Sequence, residues 1–273
     1  MLALGNILLQ IYDAKWAELT PESWQRQYMG DVFWRFYQHN GNGAYVRSSD
    51  VTLEMTTGRI YLIPAGVRFD YWTSQKCGQF YVHFDLPGIS RPVYSELCDR
   101  PVAVRNDHEL QHNAAKFGRY IQNGGIMTSS RECQLKSVLY GALAHYFDDI
   151  PEERFTRALH RATFMQPIGP AIKYIEENYS RQITITELAE ICCLSPQHFV
   201  RKFGQATGIT PIQHLHTQRV GAAAKLLLST DITIDEIALR VGFHTREYLT
   251  RIFTRHTSMS PAAYRNTMKA KLK

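Results

Sequence analysis

No stretch of the chain stays apolar for the ~18 residues that a membrane-crossing helix needs. Its first residues, MLALGNILLQIYDAKW, lack the basic start and apolar block of a secretory signal. We therefore expect no signal peptide and a cytoplasmic location. Cysteines are few: the five, at 77, 98, 133, 192 and 193, are odd in number and form no Cys-x-x-Cys. That argues against a disulfide framework and a thiolate zinc site, and leaves free buried thiols as the expectation.

What is present is an uneven charge. Residues 1–165 carry 17 Lys+Arg and 17 Asp+Glu, whereas residues 166–273 carry 14 and 8, so the net charge of +6 lies in the last 108 residues. A basic half beside a neutral half points to a polyanion partner, although +6 is also ordinary solubility charge. The 273 residues fit one large or two ordinary domains, and 44% hydrophobic residues are ample for packed cores.

Periodicity also divides the chain. DVFWRFYQ (31–38), YVRSSDVTLEM (45–55), RIYLIPAG (59–66), FDYWTS (69–74) and GQFYVHFDL (78–86) are short, aromatic or β-branched, and punctuated by Gly, Asn, Asp and Pro. They predict strands of a sandwich or a small jelly-roll barrel. From about Asp107 the period becomes helical. Leu135, Val138, Leu139, Ala142, Leu143, Tyr146 and Phe147 form one stripe over 129–147, opened by a capping box of Ser129 and Glu132. Such a stripe covers a core, a partner helix or both. The charged, Pro-flanked residues 148–167 read as a joining segment. The expected organisation is α+β: a domain over 1–150, a linker over 151–167 and an all-α domain over 168–273.

The all-α part contains an internal repeat. TITELAEICCL (184–194) and TIDEIALRVGF (233–243) align at an offset of 49, each with a Thr-x-x-Glu capping box, Thr184/Glu187 and Thr233/Glu236. Each has an alanine, 189 or 238, where a second helix would cross closely. After the break the offset is 50: Phe199, Arg201 and Phe203 align with Leu249, Arg251 and Phe253, and GITP (208–211) with SMSP (258–261). A short helix, a tight break and a second helix with an apolar inner face predict a helix-turn-helix, present twice.

The segments ELAEICCLSPQHFVRKFGQATGITP and EIALRVGFHTREYLTRIFTRHTSMSPAAYR resemble the AraC/XylS family of transcriptional regulators. The likeness covers residues 168–265 well. More loosely, GRIYLIPAGVRFDYW and YVHF are similar to the family's cupin-like ligand-binding barrel, and residues 105–148 to the helices that follow it and commonly dimerise. There are departures. Cys193 stands where the second repeat has Gly242, Ser258 where the first has Gly208, and His214 where the second has Tyr264. A left-handed backbone at Cys193 or Ser258 would cost ~1 kcal/mol each.

The resemblance implies a sequence-specific DNA-binding regulator with no cofactor, no metal and no catalytic residue. Its partners would be double-stranded promoter DNA, a small-molecule effector such as a sugar, a second copy of the chain and, if it activates, RNA polymerase. Base contacts fall on Gln197, Val200 and Arg201 in the first unit and on Arg246, Glu247, Thr250 and Arg251 in the second, opposite the apolar Phe199, Phe203, Leu249, Ile252 and Phe253. Arg suits guanine, Gln adenine and Glu cytosine, while Val and Thr can meet a thymine methyl. Ser195 and Lys202 suit phosphates. Arg201 and Arg251 could instead be phosphate clamps or ion-pair partners, and Glu247 could pair with Arg251. The helix over 212–228, offering Leu215, Ala222, Leu226 and Leu227 for packing, would span about 25 Å. It could set two reading helices in successive major grooves, ~34 Å apart. Each monomer would then take an asymmetric site.

In the barrel, Phe69 stands where metal-binding cupins have His, and the nearby strands supply only His83, so a metal enzyme is disfavoured. Tyr71, Gln79 and Tyr81 fall at pocket-lining positions by resemblance. His83 shares the strand face of Gln79 and Tyr81, and Trp34 or Arg35, on an earlier strand, is a further candidate lining residue. An aromatic platform with a few polar groups suits a sugar or another polar ligand. The alternatives are tyrosines that only pack a structural barrel, a cupin enzyme, and a DNA binder without sequence preference.

Overall fold

The computed structural model describes residues 8–30, 33–49, 51–86, 96–257 and 259–270. They fall into two compact units, residues 8–86 with 98–151 and residues 96–97 with 152–270. Among the described residues no helix is long and apolar enough to cross a membrane.

The first unit is a jelly roll with helices added. Its strands are β1 (Gln10–Leu19), β2 (Gln25–Gly30), β3 (Trp34–His39), β4 (Ala44–Ser48), β5 (Val51–Met55), β6 (Ile60–Ile63), β7 (Arg68–Thr73), β8 (Cys77–Asp85) and β9 (Val102–Ala103). They pair in the orders β1-β8-β3-β6-β9 and β2-β7-β4-β5. All these pairings are antiparallel. Setting aside β9, the order is that of two nested Greek keys, the double-sheet jelly roll.

All six residues of β3 are buried, because both of its faces are covered. One face carries Trp34, Phe36 and Gln38 opposite Phe84, Val82 and Phe80 of β8. It meets α1 (His108–Gln122) and α2 (Ser129–Asp148): Phe117 lies 5.9 Å from Phe80, and Tyr146 lies 5.2 Å from Trp34, ring to ring. Each large side chain sealed here contributes ~1.5–3 kcal/mol. The other face, Arg35, Tyr37 and His39 opposite His83, Tyr81 and Gln79, looks toward the second sheet, where Phe69 of β7 lies 5.0 Å below the Arg35 guanidinium.

Several local expectations change. Residues 45–55 are two strands, with a turn at Ser49, whose φ is 47°. Helix α2 is capped by Thr128, whose hydroxyl accepts from Arg131 N–H, so the Ser129/Glu132 box does not form. The α2 stripe covers the unit's own core: Leu135, Val138, Leu139, Ala142, Leu143 and Tyr146 are buried, while Phe147 is only half-buried.

The second unit is helical throughout: α3 (Glu152–Met165), α4 (Gly169–Asn178), α5 (Ile185–Ile191), α6 (Pro196–Thr207), α7 (Pro211–Ser229), α8 (Ile234–Arg240), α9 (Arg246–Thr257) and α10 (Pro261–Ala270). Residues 151–167, expected as a linker, are mostly α3 followed by a 3-10 turn over Gln166–Ile168, and α3 packs on α6. Glu152, Glu153, Arg154, Arg157 and Arg161, most of the charge that suggests a linker, belong to this helix, whereas Asp148 closes α2 and Asp149 caps it.

Candidate nucleic-acid interface

Two helix-turn-helix units, α5–α6 and α8–α9, are built by the same local bonds. Thr184 caps α5 by accepting Glu187 N–H, and Glu187 reaches back to Thr184 N–H, a complete capping box. Thr233 caps α8 in the same way at 3.1 Å. Glu236, however, turns to Arg240 at 2.6 Å, so only half of the second expected box forms. At the breaks, Leu194 N–H donates to Ala189 O and Phe243 N–H to Ala238 O. Both alanines are fully buried, which brings the second helix of each pair close. Ser195 and Thr245 then cap α6 and α9 by accepting from the N–H groups of His198 and Tyr248.

The equivalence continues beyond α6 and α9. Phe203 meets His214 edge-on at 5.6 Å, and Phe253 meets Tyr264 edge-on at 5.2 Å. Thr207 and Thr257 each place a hydroxyl within reach of a carbonyl four residues back and of one two residues ahead, closing α6 and α9 alike. This pair of threonines was legible as the residue before Gly208 and its counterpart at an offset of 50. Ser258, the counterpart of Gly208, lies outside the described residues.

The breaks differ in one respect. Cys193 and Gly242 both have positive φ, 54° and 88°. A Cβ on Gly242 would also come within 2.7 Å of Ser180 O and 2.9 Å of Tyr179 O. Glycine is therefore required there twice, by conformation and by close approach. Arg219 of α7 fixes the same segment: it is buried and donates to Tyr179 O at 2.8 Å and Arg181 O at 2.7 Å, with Phe243 below its guanidinium. Gln182 also bonds His244. The second turn is thus docked onto the strap between α4 and α5. Of the residues expected to pack α7, Leu215 and Leu227 are buried, whereas Ala222 and Leu226 are half-buried.

Phe199, Phe203, Leu249, Ile252 and Phe253 are buried. On the opposite face Gln197, Val200, Arg201, Arg246, Glu247 and Arg251 are exposed and Thr250 is half-buried. Ser195 is exposed but is also the α6 cap; Lys202 is half-buried. Arg246, Glu247, Thr250 and Arg251 line one shallow groove along α9 together with Thr254 and Arg255. The last two were missed, though they follow Thr250 and Arg251 by one helical turn. Among the described residues Glu247 makes no ion pair with Arg251. Arg246 reaches Asp235 at 3.4 Å, and Arg251 lies over the Tyr248 ring at 5.0 Å.

In the first unit, Arg35, Gln79 and His83 are buried between the sheets with Tyr71 and Tyr81. Trp34 is not among them: strand alternation turns it outward, against Phe84 and Tyr146, so of the Trp34/Arg35 pair only Arg35 faces the interior. Arg35 is held between Phe33 and Phe69, at 4.8 and 5.0 Å. Tyr81 donates to Asp13, and His39 Nε2 meets Gln79 Nε2 at 3.0 Å. Burial pushes the His39 pKa down to about 3, so the ring is neutral. Burial also raises the phenols of Tyr37 and Tyr81. Asp13 is raised by burial, with Lys15 opposing. Tyr37, His39 and Asp13 were not singled out, although the first two follow Arg35 at the strand period of two. Among the described residues no three His, Cys, Asp or Glu side chains converge as a metal-ligand set.

A family model described as a helix-turn-helix domain matches residues 188–267. The chain is 36% identical over 97 residues to the bifunctional transcriptional activator/DNA repair enzyme AdaA of Bacillus subtilis, covering 36% of this chain and 46% of that protein. It therefore spans less than half the length of that relative. It is 22% identical over 229 residues to the lactose operon transcription activator of Staphylococcus xylosus, covering 83% of this chain and 81% of the relative. The crystal structure of ToxT from Vibrio cholerae shares the fold, with a TM-score of 0.61 at 13% identity over 94% of this chain and 97% of that one.

Proposed function

We propose that the chain, whose residues 188–267 match a helix-turn-helix family model, is a transcriptional regulator of the AraC/XylS type that reads promoter DNA under the control of a small polar effector, such as a sugar, held between its two sheets. One observation carries the DNA part. Two reading helices of one design bury their apolar faces and leave Gln197, Val200, Arg201, Arg246, Glu247 and Arg251 exposed on the other. In that reading these side chains and Thr250 meet base edges in successive major grooves. Ser195 and Lys202 meet phosphates.

The effector part is supported by the interior chemistry. Arg35, Tyr37, Tyr71, Gln79, Tyr81 and His83 offer donors and acceptors against aromatic walls, and the Nδ1 of buried His39 has no hydrogen-bond partner among the described residues. The effector would act by shifting the population of arrangements in which two DNA-binding units are held. A second copy would dock on the outer side of α1–α2, where Ile126, Met127 and Tyr140 are exposed. RNA polymerase is the further partner if the output is activation. A second reading, a purely structural jelly roll, is favoured by the tightness of the same interior, where Arg35, His39, Gln79 and His83 are 2–6% exposed.

Selection of bound sequences from random duplex DNA, with and without a panel of sugars and small acids, tests both parts. We expect an enriched asymmetric sequence, lost when Arg201 and Arg251 are both replaced by alanine. Specific binding that survives the double replacement overturns the reading faces. Indifference to every compound favours the structural jelly roll.

A further inference from the structure

Helix α9 docks on α7 through a polar contact as well as an apolar one. Tyr248 sits at the border between the buried face of α9 and its outward face and is itself half-buried. Its hydroxyl lies 3.2 Å from His216 Nε2 on α7. Its ring packs edge-on against Phe243 at 5.6 Å and His216 at 5.7 Å. On its outer side the guanidinium of Arg251, three residues along the same helix, lies over this ring at 5.0 Å. At the equivalent position the first repeat has His198.

We propose that Tyr248 is a positioning residue that determines specificity: it aims Arg251 at its base, and His216 in turn ties Tyr248 to the spacer helix. The proposal rests on the reading of Arg251 as a base contact.

The physics has two parts. A free arginine samples many rotamers and loses rotamer entropy on immobilisation; a ring beneath the guanidinium removes part of that loss before DNA arrives. Arginine over an aromatic face is also attracted to it. Burial, reinforced by Arg219, His256 and Arg255 nearby, lowers the His216 pKa below the ordinary histidine value. A neutral imidazole has a lone pair to accept the phenol O–H, and that bond makes the ring richer in charge toward Arg251. The spacer helix therefore sets the angle at which the reading arginine leaves α9.

The test uses the full chain and duplex DNA selected from a random pool, with dissociation constants measured for that duplex, its single-base variants and random duplex at one salt concentration. Arg251→Ala should cut discrimination ~10- to 100-fold at one or two base pairs. Tyr248→Leu should cut it at the same base pairs by ~5-fold or more, and leave the other base pairs and random duplex within about twofold. Tyr248→Phe keeps the ring, loses the bond to His216, and should fall between. In the Arg251→Ala background, Tyr248→Leu should add no more than about twofold, since its partner is gone.

Wild-type discrimination in Tyr248→Leu, or a uniform loss at every base pair, overturns the proposal. If Tyr248→Leu does not fold, Tyr248→Phe decides alone, and full wild-type discrimination in it overturns the link to His216. If Arg251→Ala leaves every base preference intact, the reading on which the proposal rests has failed. An effect of Arg251→Ala with Tyr248 silent rejects the positioning role only.

Discussion

The two helix-turn-helix units share caps, crossing alanines, aromatic edge contacts and closing threonines, yet differ at the turn and on the outward face. Cys193 is exposed in its turn, whereas Gly242 is pressed against the carbonyls of Ser180 and Tyr179. The outward face of α6 carries Gln197, Val200 and Arg201; that of α9 carries Arg246, Glu247, Thr250, Arg251 and Arg255. Scaffold residues repeat because each unit solves the same packing problem. Outward residues diverge because packing places no demand on them. The turn diverges because only the second one is docked on a neighbouring strap.

Breaking that docking should have the largest effect. Gly242→Ala forces a Cβ into backbone at positive φ and should destabilise the second unit by ~3 kcal/mol, whereas Cys193→Ala should change it by less than ~0.5 kcal/mol. Urea unfolding separates the units: all four tryptophans, 16, 24, 34 and 72, lie in the first, so their fluorescence follows it and helical circular dichroism chiefly follows the second. Equal costs at the two turns would remove close approach as the cause.

Arg219→Gln should follow, at ~2 kcal/mol, because the carbonyls of Tyr179 and Arg181 lose their charged donor. Hydrogen exchange should then rise in α8 and α9 before α5. The outward faces come next. Arg251→Ala should cost ~1–3 kcal/mol at its base pair, whereas Lys202→Ala should weaken all sequences alike and lower the salt slope by ~1. Binding titrations at several salt concentrations distinguish the two.

Making the turns alike should have a smaller effect. Cys193→Gly should stabilise the second unit by ~1 kcal/mol by relieving a left-handed cysteine, read as a higher urea midpoint. The caps come last. Glu187→Ala should cost ~1 kcal/mol, since Glu187 holds both Thr184 N–H and the Tyr174 hydroxyl. Glu236→Ala should cost only ~0.3–0.5 kcal/mol, the value of an exposed helical ion pair.

Legibility differed from element to element for physical reasons. The repeat could be read because a helical stripe and its cap are local in sequence. Strands β1 and β2 were not foreseen. QIYDAKWAEL lies at the edge of its sheet with most residues half-buried, so its apolar contrast is weak. The turn at Ser49 was hidden inside a continuous β-forming run. Helix α3 reads as a linker in sequence because a charged, solvated helix face and a linker have the same composition.

Local sequence pattern specifies the two fold classes, the register of the repeated unit and which side of α6 and of α9 faces out. All of these follow from periods of two or 3.6 and from capping residues. Long-range packing decides that Arg35 rather than Trp34 faces the jelly-roll interior. It alone decides that Arg219 and Gly242 meet the same strap and that Tyr248 bridges His216 and Arg251. Periodicity assigns a residue to a face; what lies opposite that face is set by elements distant in sequence, and no local pattern records it.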